Sequence, residues 1–270
     1  MSIQGASQKR LTLRDLQSLY SRGEKLAMLT AYDAVTAQLV DEAGVEMILV
    51  GDSLGNVVLG FENTIPVTLD DMIRHTAAVV RGSSRALVIL DLPFGTATDP
   101  ETALRASIRV FQETGCQAVK LEGDFKSAPT VRRLVEQGIP VVAHIGLTPQ
   151  SIHQLGGFYR HGKTSPEIEL LKKSAAALQE AGAFAIVLEC VMPDVATEIT
   201  STLRVPTIGI GSGPHCSGQV LVINDLIGLS VRPAPKFARV RADVAGVISR
   251  AVREYVQATK SPENGMGMEV

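Results

Sequence analysis

The chain has 270 residues, 45% of them hydrophobic, which suits one large domain with a full core. A formal net charge of −2 with 20% charged residues gives no basic field for nucleic acid. Cys116, Cys190 and Cys216 stand too far apart for a zinc motif or a disulfide framework. They fit a reducing cytoplasm, as does an N-terminus without the apolar stretch of a signal peptide. No apolar run approaches the roughly 20 residues of a membrane span.

Thr12 to Arg22 reads as the first helix, with Thr12 able to cap it, Asp15 at the capping-box position and Gly23 as a stop. Strand-like runs then follow at Leu26–Thr30, Met47–Val50, Ala86–Leu90, Ala118–Leu121, Pro140–Ala143, Phe184–Leu188 and Pro206–Ile210. They are short and mostly continuously apolar, as strands covered on both faces are. Helical segments lie between them: one from Thr68 to Gly82, one from Pro100 to near Gly115, Ala128–Gln137, one from Ser165 to Gly182, and Pro193–Leu203. A last helix runs from about Ala242 to Ala258. Strand then helix, repeated seven times, predicts a parallel α/β architecture that closes into a single (β/α)8 TIM barrel with an N-terminal helix. The eighth strand is expected between Gly218 and Val240, where Pro233 and Pro235 break the pattern. An open doubly wound sheet is the alternative, but it asks for a glycine-rich phosphate loop after the first strand, and Thr30-Ala31-Tyr32-Asp33 has no glycine. The barrel domain is expected over 1–258, with 259–270 as a flexible C-terminal tail.

Four acidic residues sit at the downstream end of these runs: Asp52, Asp91, Glu122 and Glu189. A buried strand gains nothing by ending in a carboxylate, and gathering several such ends costs desolvation and mutual repulsion. A divalent cation is the simplest compensation, so the pattern points to a metal-dependent active site at the carboxyl ends of the strands. Taken singly, an aspartate after a strand is often the N-cap of the next helix, and Asp52 and Asp91 each admit that reading. Glutamate is a poor cap, which makes it the weaker reading for Glu122 and Glu189.

Lys120 and Glu122 are two apart and share one strand face, so one strand sends a cation and a carboxylate into the same space. Gly51-Asp52-Ser53 places an acid and a hydroxyl on a tight turn that can hold a metal with one group and a substrate carboxylate with others. His144 follows Val141-Val142-Ala143 and reads equally as a core histidine or a functional one. Asp33 reads as lying behind the ligands, and His75 as structural. His153, His161 and His215 show no ligand spacing. There is no P-loop, no G-x-S-x-G elbow and no His-Glu-x-x-His.

Several stretches together resemble the ketopantoate hydroxymethyltransferase family: Thr30-Ala-Tyr-Asp33, Val50-Gly-Asp-Ser-Leu-Gly55, Asp91-Leu-Pro-Phe94, Val119-Lys-Leu-Glu-Gly123, His144-Ile-Gly-Leu-Thr-Pro-Gln-Ser151 and Leu188-Glu-Cys190 among them. The resemblance implies a barrel of the phosphoenolpyruvate mutase and isocitrate lyase superfamily. It implies Mg²⁺, a 2-oxoacid substrate and 5,10-methylenetetrahydrofolate as one-carbon donor, with ketopantoate made on the route to pantothenate and coenzyme A. It places the metal on Asp52, Asp91 and Glu122, the substrate on Asp52, Ser53, Asp91 and Lys120, and the proton acceptor on Glu189. It also implies a cytoplasmic homo-oligomer, often a decamer. The chain departs from the family pattern at Asp124, in the stretch Phe158-Tyr159-Arg160-His161, and at Ser217, where an aspartate is usual. Two rivals remain on the sequence alone. Other carbon–carbon lyases of that superfamily usually carry a Lys-x-Cys-Gly-His-type stretch, absent here. A non-catalytic 2-oxoacid-binding paralogue has no need of the Asp52, Asp91, Lys120, Glu122 and Glu189 set.

Overall fold

A computed structural model describes residues 9–230 and 233–261. In chain order its elements are α1 (Leu13–Ser21), β1 (Leu26–Thr30), α2 (Ala34–Glu42), β2 (Met47–Val50), α3 (Leu54–Val57), α4 (Leu69–Gly82), β3 (Leu87–Asp91), α5 (Pro100–Thr114), β4 (Ala118–Glu122) and α6 (Ala128–Glu136). They continue with β5 (Val141–Gly146), α7 (Ile152–Leu155), α8 (Ser165–Glu180), β6 (Ala185–Glu189), α9 (Pro193–Thr202), β7 (Thr207–Ile210), β8 (Gly218–Leu221), α10 (Ile223–Ile227) and α11 (Val244–Lys260). All eight strands are parallel and close in sequence order, β1 pairing with both β2 and β8. Closure leaves no sheet edge unpaired. The expected α/β barrel is therefore the observed fold, with its eighth strand at the start of the predicted window.

Two compact units divide the chain, Met1–Val222 and Ile223–Val270. The first contains the whole barrel; the second contains α10 and α11. Most of the expected tail, 262–270, lies outside the described residues. Among the described residues no helix is long and apolar enough to cross a membrane.

The helix starts follow local chemistry. Thr12 and Thr68 each close a capping box, with Asp15 and Asp71, and Asp99 caps α5 ahead of Pro100 at its first turn. The sequence reading passed over α2. Asp33 is its N-cap, accepting the Thr36 N–H at 2.8 Å.

Inside the barrel, alternation decides what faces the axis. Met28, Met47, Leu49, Leu87, Ile89, Ala118, Val142, Ala185, Val187, Ile208 and Val220 form the buried lumen. One pleat further along β3, β4, β5 and β6, a polar residue takes the same face: Asp91 after Ile89, Lys120 after Ala118, His144 after Val142, Glu189 after Val187. The apolar layers are thus the floor, and the polar layer above them sits at the carboxyl ends of the strands.

Asp41, near the end of α2, anchors the chain entering β3. Its buried carboxylate accepts the backbone N–H groups of Ser84 (2.7 Å), Arg85 (3.0 Å) and Ala86 (2.6 Å). Burial works to raise its pKa, and these N–H groups outweigh it and hold the carboxyl below its ordinary range. Asp41→Ala is expected to cost about 3 kcal/mol, because three partly or fully buried donors lose their acceptor together. Urea unfolding measures this; a loss below about 1 kcal/mol would mean that the turn finds other partners.

Candidate active site

The barrel register sets the side chains of the polar layer against one another. Asp91 on β3 pairs with Lys120 on β4, Glu122 with His144 on β5, and Gly146 with Glu189 on β6. Asp52 and Ser53 arrive from the turn after β2. The Asp52 backbone N–H donates to Asp91 Oδ2 at 3.3 Å. The Ser53 hydroxyl lies 2.9 Å from that of Tyr32. All the residues assigned to a site from the sequence, Asp52, Ser53, Asp91, Lys120, Glu122 and Glu189, line one cavity of about 170 Å³. That is small beside pockets for drug-sized ligands, which run to roughly 300–1,000 Å³, and suits a small acid.

Lys120 stands at the centre. Its Nζ is 2.7 Å from Asp91 Oδ1, 3.9 Å from Glu122 Oε1 and 3.1 Å from His144 Nδ1. The ammonium makes a close charged contact with Asp91 Oδ1, whereas Glu122 Oε1 has no hydrogen-bond donor. Burial opposes the charge on Lys120, yet Asp91, Glu122 and Asp52 more than offset it, and the ammonium is held more tightly protonated than an ordinary lysine. Burial pushes Asp91 up to about 8, with Asp52 adding repulsion and Lys120 pulling the other way. Burial likewise lifts Glu122 well above the usual carboxylate range.

His144, left open by the sequence, lies within the layer, between Lys120 and Glu189. Burial, then the Lys120 charge, lowers its pKa, so the ring is neutral near pH 7. An ammonium can only donate, so Nδ1 is the accepting nitrogen and Nε2 carries the proton. That nitrogen lies 3.2 Å from Glu189 Oε2, off the ideal N–H axis. Asp91, Lys120, His144 and Glu189 thus form one continuous polar chain across four adjacent strands.

Asp52, Asp91 and Glu122 are three buried carboxyl groups against the one ammonium, among the described residues, of Lys120. Ionised together they would leave two negative charges in surplus, and without a further cation the site relieves this by raising Asp91 and Glu122. Among the described residues, no three His, Cys, Asp or Glu side chains converge as a ready-made metal cage. Magnesium asks for less, taking one or two protein carboxylates and filling its octahedron with water and substrate. Three carboxyl groups gathered at one place, two of them pushed up by burial and mutual repulsion, and the donorless Glu122 Oε1 fit such an ion, with Asp52, Asp91 and Glu122 the residues that could hold it.

Some residues went unread in the sequence. Gln150 follows β5 in the turn Pro149–Ser151; its side-chain Nε2 donates to Asp52 Oδ2 at 3.0 Å and its backbone N–H to Glu122 Oε2 at 3.0 Å. Nothing but its place in a Thr-Pro-Gln-Ser turn marked it, because an amide carries no charge. Of the departures from the family pattern, Asp124 starts the short turn Phe125–Ser127 by accepting the Lys126 N–H. Ser217 lies at the strand starts, its hydroxyl accepting the Thr207 N–H at 3.2 Å, on the end of the barrel opposite the site. Phe158 lines the cavity and is 68% exposed.

Solved barrels share this architecture. One is phosphonopyruvate hydrolase in complex with oxalate and Mg²⁺, with TM-score 0.63 and 12% identity over 93% of this chain and 87% of that one. Another is 2,3-dimethylmalate lyase, described as a member of the PEP mutase/isocitrate lyase superfamily, with TM-score 0.59 and 14% identity over 96% and 90%. The likeness is one of fold, the closed parallel α/β barrel.

Sequence likeness is far narrower. The family model for ketopantoate hydroxymethyltransferase matches residues 10–264. The 3-methyl-2-oxobutanoate hydroxymethyltransferase of Chloroflexus aurantiacus is 53% identical over 252 residues, 93% of this chain and 89% of that one. That of Heliobacterium modesticaldum is 49% identical over 267 residues, 97% of each chain. The chain belongs to the ketopantoate hydroxymethyltransferase family, and so to the transferases.

Proposed function

We propose that the protein transfers a hydroxymethyl group from 5,10-methylenetetrahydrofolate to 3-methyl-2-oxobutanoate, giving ketopantoate for pantothenate and coenzyme A synthesis. The observation that carries this reading is the single polar layer, in a chain of this family, that sets a lysine for the substrate carboxylate at one end of His144 and a carboxylate base at the other.

The chemistry explains why the site needs both ends. A carboxylate facing the proton next to a ketone is mismatched by roughly 14–15 pK units, near 20 kcal/mol at about 1.36 kcal/mol per unit. Mg²⁺, held by Asp52, Asp91 and Glu122, would supply a Lewis acid at the keto oxygen. Ser53 and Lys120 hold the substrate carboxylate, with Asp52 and Asp91 bordering it. Glu189 accepts the C3 proton, its carboxylate steered by the Nε2–H of His144. The C3 carbon then bonds to the folate's one-carbon unit, water supplies the hydroxyl oxygen, and tetrahydrofolate leaves. The small cavity takes the oxoacid, and its open mouth, bordered by Phe158, faces the larger folate.

We also assign a homo-oligomeric, cytoplasmic protein. What supports assembly is α11, whose Val244, Val247, Ile248, Ala251, Val252 and Tyr255 fall on one stripe at helical spacing, a face that such a helix has to bury.

The test is loss of the C3 proton of 3-methyl-2-oxobutanoate in D₂O, followed by NMR with Mg²⁺, with and without methylenetetrahydrofolate. Metal-dependent exchange, and ketopantoate once folate is added, is the expected result. No exchange with any divalent metal would overturn the reading.

A further inference from the structure

Gln150 belongs to no charged constellation, yet it touches the mouth at three strand ends. Its Nε2 donates one hydrogen to Asp52 Oδ2 at 3.0 Å, after β2, and the other to the Leu92 carbonyl at 2.9 Å, after β3. Its backbone N–H donates to Glu122 Oε2 at 3.0 Å, at the end of β4. Both side-chain partners can only accept, so the amide has one possible orientation, and both hydrogens of its NH₂ are spent. The turn Pro149–Ser151 that carries it springs from β5, so one residue fastens the ends of four consecutive strands.

We propose that Gln150 is a positioning residue that fixes the Asp52 carboxylate by one oxygen and thereby aims the other at the ligand of the site. This rests on the reading of that site as one that holds a divalent cation and a 2-oxoacid. Three features carry it. First, Asp52 is buried, so its carboxylate takes its orientation from protein donors. Second, Gln150 provides the hydrogen bond found on Oδ2. Third, the same side chain is itself held by the Leu92 carbonyl, next to Asp91, so the two aspartates share one support. Neutral donors suit this task, since a lysine here would cancel charge that a cation needs, and a glutamate would repel Asp52. Residues that orient a metal ligand through hydrogen bonds typically govern metal affinity by about 10- to 100-fold.

The experiment uses the full chain with Gln150→Met, which keeps the length and loses the amide, and Gln150→Asn, which keeps the amide one methylene short. Both retain the backbone N–H to Glu122. Mn²⁺ binding is followed by electron paramagnetic resonance, and KM and kcat for C3 proton exchange by NMR. The expected result is a Kd for Mn²⁺ raised at least tenfold in both variants, with a loss of exchange recovered by excess metal. A merely structural role would reduce the folded fraction and leave the Kd of that fraction alone; a Kd within threefold of wild type in both overturns the proposal. If Gln150→Met does not fold, Gln150→Asn decides. If the wild-type protein itself binds no Mn²⁺, the functional reading fails instead. A crystal structure of the variant then decides the positioning role, and an Asp52 carboxylate in its wild-type place overturns it.

Discussion

Glu189→Gln is expected to slow C3 proton exchange of 3-methyl-2-oxobutanoate about a thousandfold while leaving divalent-metal affinity within a few fold of wild type. Glutamine keeps the size of the side chain and can still accept a hydrogen bond from His144 Nε2, 3.2 Å from Oε2 in the wild-type site, but it cannot take a proton. The surrounding layer has no reason to collapse. Glu189 closes β6, where it pairs with Gly146, and the substitution removes a negative charge from a region with too many. NMR in D₂O gives the exchange rate, and Mn²⁺ titration gives the affinity. Exchange that persists at the wild-type rate would take the base role from Glu189 and turn attention to the other carboxylates of the cavity.

Lys120→Met removes the only ammonium among the described residues that touches Asp91 and Glu122, and a large loss of stability is expected. A buried ion pair adds little over a well-packed apolar pair, but breaking one from a single side strands its partner and costs about 3–5 kcal/mol. In the metal-free protein that corresponds to a melting point lower by roughly 10 °C. The loss should depend on pH. Asp91 is pushed up to about 8 by burial even with Lys120 beside it, and without that charge it rises further. The folded state then keeps a proton that the unfolded chain releases near pH 4, so stability falls as pH rises from about 4 through 8 and beyond. The wild type shares that fall up to about pH 8, so the melting deficit of Lys120→Met should widen above it and be greater at about pH 9.5 than at about pH 7, with chelator present at both. Equal deficits at the two pH values would mean that Asp91 and Glu122 are not the groups Lys120 supports. Exchange activity should also fall, through KM for the oxoacid, since the cation for its carboxylate is gone.

Strong periodicity and end-of-strand acids made the barrel legible. Seven apolar runs stand where β1–β7 lie, within two or three residues at their ends. β8 was hard to read because it is four residues long, opens on Gly218 and has the exposed Gln219 as its second residue. The helix α2 escaped because its outward Val35 and Leu39 blur the apolar stripe and no acidic residue stands in its first turn. In the site, ionisable residues announce themselves by their burial cost, so Asp52, Asp91, Lys120, Glu122 and Glu189 could be marked from sequence, and the cavity brings them together. His144 stayed open since its use depends on which two groups flank its nitrogens, a matter of strand register across β4, β5 and β6. Gln150 was invisible for the opposite reason: a neutral amide on a turn has no cost to betray it until its partners are known.

Gly146 has φ 96°, and a Cβ placed there would meet the Glu189 carbonyl oxygen at 2.3 Å. β5 and β6 are therefore pressed together main chain to main chain beside the proposed base, with no side chain between them to exchange. On the far wall the cavity is bounded instead by Ile210, Val220 and Leu221, whose side chains trade volume one for another. Room for change is thus divided around the rim: on the proposed reading other oxoacids are admitted by resizing the β7–β8 side, whereas the place of the proposed base is fixed by main chain that no side-chain substitution resizes.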